Sequence, residues 1–254
     1  MSARQRLWLF ALAVAGLVAC YLWAFSGLPG FGNYPGPYGQ HILKYVIAQT
    51  NATGVVSAVN FEYRGFDTVG EEFILFTAAA GMSVVLRRLR GEREGDESPA
   101  ETAASRQIPA TSGAVRVATL LLVGPLALFG WWLATHAQTN PSGGFQGGVI
   151  LATAFFLVYL SGEFIVFRRI SPVVLLDASE ALGAGGFAAV GVTAVGMSLP
   201  YLYNYLPLGT IPGAVSSSGT IALISFLVGI EVDSAFVLII GELLDQTLLR
   251  GGGN

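Results

Sequence analysis

The stretch NPSGGFQGG at residues 140–148 runs straight into an apolar segment that continues to residue 167. Its four glycines form two interleaved pairs, Gly143 with Gly147 and Gly144 with Gly148. Positions four apart share one face of a helix, so each pair leaves a strip of bare backbone, a shallow groove for a second helix. Asn140 and Pro141 read as a helix entry, because proline lacks the amide that a first turn leaves unpaired. A nucleotide-binding loop fails on residues: no Lys-Ser/Thr follows, no Gly-x-Gly-x-x-Gly fits, and the apolar run that comes next is of lipid length. The stretch therefore reads as a close helix contact inside a membrane, with a mobile or ion-lining hinge as the second reading.

The rest of the composition agrees with a membrane setting. Of 254 residues, 53% are hydrophobic and 11% charged, and the mean hydropathy is +0.63. A soluble domain would carry about twice that charge. Cys20 is the single cysteine, which rules out an internal disulfide or a cysteine-based metal cluster. The two histidines, His41 and His136, are far apart and form no ligand pair. The expectation is an all-α integral membrane protein that binds no cofactor or metal and touches no nucleic acid.

Six apolar segments are long enough to cross a bilayer: 7–25, 68–86, 114–134, 145–167, 178–199 and 220–249. The first contains Leu17-Val18-Ala19-Cys20, which looks like a lipoprotein cleavage box. The apolar run continues through Tyr21, Leu22, Trp23 and Phe25, so a retained anchor helix is the better reading. Residues 27–39, rich in Gly, Pro and aromatics, read as an interfacial loop, 41–49 as a short interfacial helix, and 200–219 as a second interfacial loop. Asn51-Ala52-Thr53 matches a glycosylation triplet but is too short to carry weight. Residues 91–113 are polar and aperiodic, a linker between a two-span unit at 1–90 and a four-span unit at 114–254.

Charge sets the expected topology. With the N-terminus inside, Arg4, Arg6, Arg87, Arg88, Arg90, Arg93, Arg106, Arg116, Arg168, Arg169 and Arg250 all fall inside, and only Lys44 and Arg64 outside. That imbalance places both termini and the linker in the cytoplasm.

Acidic residues within apolar segments are the candidates for function, since each costs roughly 2.5–3.5 kcal/mol if ionised at mid-bilayer. Glu231 and Asp233 are the deepest: Glu231 lies about 18 Å along a helix that starts near Gly219. Two residues apart, they splay to nearly opposite faces and each meets a different neighbour. Glu163, close to Arg168 and Arg169, reads as half of an ion pair. Asp177 and Glu180 read as acids at a helix N-terminus. Glu71 and Glu72 sit at the outer mouth of the second span. Arg64 and Asp67 are close enough to pair, and Gln146 is placed to hydrogen-bond across helices. Glu242 and Asp245 fall near an inner, solvated end, and His136 near an outer interface. No nucleophile–base–orienter set is present, so no enzymatic activity is expected of this chain.

Two stretches carry a family resemblance. PSGGFQGGVILATAFFLVYLSG at 141–162 resembles the B subunit of Mrp-type (Mnh-type) monovalent cation/proton antiporters, which run Pro-Gly-Gly-Gly-Phe-x-Gly-Gly into an apolar helix. Gly143, Gly144, Phe145, Gly147, Gly148, Ala154, Phe155, Tyr159 and Leu160 match by position, and the likeness extends over 114–254. Residues 55–71, with Tyr63-Arg64-Gly65-Phe66-Asp67-Thr68 and Gly70-Glu71, resemble both the E-type subunits of membrane-bound hydrogenases and the carboxy-terminal end of the antiporter A subunit. Ser142 stands in place of a glycine, and Gln138 and Thr139 where family members often have histidines. The Glu231/Asp233 pair lies outside these motifs and rests on the burial argument alone.

The resemblance implies a subunit of a multi-subunit antiporter in a bacterial or archaeal inner membrane, exchanging Na⁺ or another monovalent cation for H⁺. Its partners would be the other membrane subunits, the bilayer and the transported cations and protons. The ion-path candidates are Glu231, Asp233, Glu71, Asp67, Arg64, Glu163 and Glu180; the packing signature is Gly143, Gly144, Phe145, Gln146, Gly147 and Gly148. The alternatives are a membrane-arm subunit of an Mrp-module respiratory oxidoreductase and, more remotely, a subunit of a complex moving CO₂ or bicarbonate.

Overall fold

The computed structural model describes residues 3–28, 30, 32, 36–93 and 111–250. The described regular structure is helical: α1 (Ala3–Ser26), α2 (Pro37–Thr50), α3 (Val55–Ala58) running into a π-helical turn (Val59–Tyr63), α4 (Gly65–Arg93), α5 (Gly113–Thr135), α6 (Gly144–Leu160), α7 (Phe164–Ile170), α8 (Val173–Gly196) and α9 (Thr220–Arg250). Five helices are long and apolar enough to cross a membrane, and Gly144–Leu160 is a shorter apolar one. Two compact units emerge, residues 1–42 and 43–254. In the first, the side chains described on α1 are exposed throughout, Leu7, Trp8, Phe10, Leu12 and Trp23 among them, as befits a helix whose solvent is lipid.

The second unit is organised around α9, which packs against α4, α5, α6 and α8. Its buried residues Ile221, Ile224, Val228, Val232, Ala235 and Leu238 recur at helical spacing. Apolar surface gains little from leaving lipid, so close backbone approach must hold this bundle together, and the glycines supply it. A Cβ on Gly148 would lie 2.7 Å from the Gly229 carbonyl oxygen and Val232 Cβ; one on Gly144 would overlap the Ser225 carbonyl oxygen. Gly147 faces the other way, where its Cβ would sit 2.7 Å from the Gly130 carbonyl oxygen of α5. Glycines on α6 thus contact two helices at once.

Several boundaries differ from the sequence reading. The segment 145–167 is not one helix: α6 ends at Leu160, Gly162 turns the chain at φ 86°, and α7 restarts at Phe164. Only glycine adopts that left-handed backbone without strain, and the turn leaves α6 at 17 residues, about 26 Å. The apolar half of α7 still packs, with Phe164 and Phe167 joining Ala152, Val158, Leu176, Val237 and Leu238 in one core cluster. The fifth span starts at Val173, just after Pro172, and not at 178. Helix α4 continues through Arg93 into the segment read as linker; residues 94–110 of that linker lie outside the described ones. At its far end Ser112 caps α5, its hydroxyl accepting from the Val115 amide.

Candidate functional site

At the Gly65 end of α4 three loops clasp one another. The Thr53 and Gly54 amides donate to the Gln138 carbonyl oxygen at 2.9 and 3.0 Å, while the fully buried Gln138 side chain donates to the Val215 carbonyl oxygen at 2.7 Å. Asn51 donates to the Leu208 and Gly209 carbonyls at 3.2 and 2.8 Å, so its amide serves structure. Asn204 accepts from the Thr220 amide at 2.8 Å, pairing an otherwise orphaned donor in the first turn of α9, and donates to Glu62 at 3.0 Å.

Burial raises the Glu62 carboxyl above its usual range, and the Asn204 bond opposes part of that rise. A raised folded-state pKa means that the favourable contribution is complete at low pH and is lost as pH rises through the raised value. Glu62→Gln keeps the shape and removes the charge. It should raise the thermal midpoint at pH 8 by on the order of 1 °C and lose that advantage near pH 4. A melting series across pH checks this; a lower midpoint at pH 8 would contradict it.

Deeper in the bundle lies a set of acids from three helices. Glu231 on α9 is 0% exposed, and neither carboxylate oxygen has a hydrogen-bond partner. Gly183 of α8 makes room for it, since a Cβ there would lie 2.6 Å from Glu231 Cβ. Glu180, one turn away on α8, and Glu72 on α4 are each 3% exposed and close enough for their charges to act on Glu231. Burying one carboxylate is expensive, and three facing one another cannot all be ionised without a counter-charge. Protonation or a nearby positive charge would relieve that cost. Asp233 lies on another side of α9, its amide nitrogen 2.9 Å from where a Gly148 Cβ would stand; its Oδ1 is buried without a partner.

The other sequence candidates lie elsewhere. Arg64 and Asp67 do pair, with Arg64 Nε donating to Asp67 Oδ2 at 2.7 Å, but both are more than half exposed. Glu163 sits in the break between α6 and α7, and its ion pair is with Arg116 of α5, not with Arg168 or Arg169. Glu180 is no N-terminal acid: α8 begins seven residues earlier, which carries it into the interior. Glu242 is likewise buried, at 1% exposure, not solvated. Glu71 is exposed, and it is Glu72 that turns inward. Sequence reasoning left Glu72 out of its site, although Thr68, Glu72, Ala79 and Ser83, all buried, mark one face of α4.

Between these acids and the clasped loops is a cavity of about 270 Å³. Its walls come mostly from two distant stretches, Ser57, Asn60, Phe61, Thr68, Glu71 and Glu72 from one and Ser142 through Gln146 from the other, together with Val228 of α9. Phe145 and Gln146 are exposed at its edge.

The fold and site define a multi-pass helical membrane subunit with buried carboxylates at its centre. Residues 114–238, just under half of the chain, match the family model described as a domain related to the MnhB subunit of Na⁺/H⁺ antiporters. An uncharacterized protein of Methanocaldococcus jannaschii is 27% identical over 219 residues, 78% of each chain. A probable K⁺/H⁺ antiporter A/B subunit of Rhizobium meliloti is 25% identical over 195 residues, 70% of this chain but only 19% of the Rhizobium protein. Among solved structures, a chain of the membrane-bound sulfane sulfur reductase, an archaeal respiratory membrane complex, superposes with a TM-score of 0.72 at 28% identity, covering 92% of this chain and 97% of that one. A chain of the Mrp complex from Dietzia sp. DQ12-45-1b superposes at 0.67 with 21% identity, covering 96% of this chain and 26% of its own, and shares the fold.

Proposed function

We propose that this chain is a membrane subunit of an Mrp-type antiporter and that its buried carboxylates form part of the path by which a monovalent cation is exchanged for protons. One observation carries the second half of the proposal: Glu231 lies mid-helix, fully buried, with both oxygens unpartnered and two more buried glutamates in reach. A packing role would be served better by an apolar side chain, which costs nothing to bury. The MnhB-related domain supports the antiporter assignment.

In this reading the chain has no chemistry of its own, and residues 1–90 correspond to an A-subunit tail or E-like unit, 91–113 to a cytoplasmic linker and 114–254 to the B unit. The name of the Rhizobium relative, which joins A and B in one protein, supports the fused arrangement. The arginine distribution supports a cytoplasmic location for both termini, which would put the clasped loops and the cavity on the outer side.

The likeness to the sulfane sulfur reductase chain is compatible with a membrane-arm role in a respiratory complex and does not favour it. Purification decides between the two. Affinity capture of the tagged chain from mildly solubilised native membranes should bring down antiporter-like subunits without iron–sulfur or nickel–iron partners. Stoichiometric redox subunits in the eluate would overturn the antiporter assignment.

A further inference from the structure

The two stretches that carry the family resemblance, 55–71 and 141–162, are some 70 residues apart in sequence, yet they line one cavity. Its walls offer oxygens: the hydroxyls of Ser57, Thr68 and Ser142, the amide oxygens of Asn60 and Gln146, and the carboxylates of Glu71 and Glu72. No arginine, lysine or histidine is among the lining residues. Glu72 is 3% exposed, and its Oε2 is buried without a hydrogen-bond partner. Glu71, exposed, stands at the rim. Asn60 and Phe61 of the lining belong to the π-helical turn Val59–Tyr63, a distortion found frequently at functional sites.

We propose that this cavity is the entry site of a monovalent cation, with Glu72 as its buried ligand, Glu71 as the charge that attracts the ion, and Glu231 as the next station inward. The inference rests on the transport reading above and adds a place and a ligand set to it. Hard oxygen donors suit an alkali cation, and the absence of basic groups argues against an anion. The N-terminus of α6 at Gly144 opposes a cation with about half a positive charge, which two carboxylates outweigh. A volume of about 270 Å³ compares with roughly 30 Å³ per water in the liquid, so an ion enters with much of its hydration shell. It sheds that shell toward Glu72, where no other group competes for Oε2. From there Glu231 is within electrostatic reach.

Cysteine accessibility in the intact complex tests this. With Cys20→Ser as background, Val56→Cys places a thiol on the cavity wall without removing an oxygen donor. A membrane-impermeant cationic thiol reagent should modify it from the outer face only. Replacing choline chloride with NaCl or KCl at equal ionic strength should slow the reaction about tenfold. Adding Glu72→Gln should abolish that protection, whereas Glu72→Asp should retain it at a higher cation concentration. Modification from the inner face only, equal rates in choline and alkali salts, or undiminished protection in Glu72→Gln would each overturn the proposal. Should the Glu72→Gln complex fail to assemble, Glu72→Asp decides, because an unshifted half-protecting concentration removes Glu72 from the site. The assay needs no transport, so lost protection with intact exchange sinks the entry site alone. Protection without Glu231-dependent exchange sinks the transport reading instead.

Discussion

Gly144→Ala abolishes the stable complex. The expected yield after detergent extraction is a tenth of wild type or less, because the new methyl would overlap the Ser225 carbonyl oxygen and come within 2.8 Å of the Gly229 amide nitrogen and Val228 Cβ. These are mostly backbone atoms of the central helix and cannot rotate aside. Overpacking a well-filled contact costs about 1–3 kcal/mol, and more where the backbone must yield. Gly148→Ala meets the same helix one turn on, at 2.7 Å from the Gly229 carbonyl oxygen and Val232 Cβ, and should behave alike. Gly143→Ala is the informative contrast: there the methyl meets only the Gln146 side chain, which can swing away. Gly81→Ala, with nothing within 4 Å, is the neutral control. Size-exclusion profiles and subunit stoichiometry of the four variants check the order. Equal yields for Gly144→Ala and Gly81→Ala would remove the packing role from the glycine stretch.

The second large effect is on transport. Glu231→Gln keeps the volume of a fully buried side chain and removes its ability to take up a proton or balance a cation. Cation-coupled proton flux in vesicles should fall at least tenfold while subunit composition is unchanged. Asp233→Asn should fall less, because Asp233 is only partly buried and lies on another side of α9, toward Gly148. If both substitutions lower flux equally, the path runs along α9 as a whole and not through the Glu72–Glu231–Glu180 group. Full flux in Glu231→Gln would leave that group a structural oddity.

Much of the fold was legible from residues. Of the two glycine pairs, Gly144 with Gly148 proved to touch α9 where a side chain has no room, whereas Gly143 lies ahead of α6 in extended backbone and leaves Gly147 to meet α5 alone. Apolar runs of lipid length marked out each of the five long helices, with ends misjudged by up to seven residues. Two features were hidden by the same cause, a local rule overridden by its neighbours. Ser161, Gly162 and Glu163 sit inside an apolar run that reads as continuous, yet Gly162 takes a left-handed turn and splits it. Pro172 starts α8 early enough to carry Glu180 inward, whereas an acid at the opening of an apolar run reads as one at a helix N-terminus. Glu72 was the harder case. The motif drew attention to Glu71, and which of two adjacent glutamates turns inward depends on the register of α4, set by Thr68 and Ala79 on the buried face. The cavity had no linear signal at all, because its walls come from stretches that only folding brings together.

Cation–proton exchange through this site requires the buried carboxyl of Glu231 to change its protonation when a cation enters. Infrared difference spectroscopy on the purified complex, recorded on replacing choline with Na⁺ or K⁺, reads that change directly. The expected result is loss of a protonated-carboxyl band in wild type that is missing from the Glu231→Gln spectrum. The same band at the same intensity in both proteins, or no carboxyl signal in wild type, would contradict it.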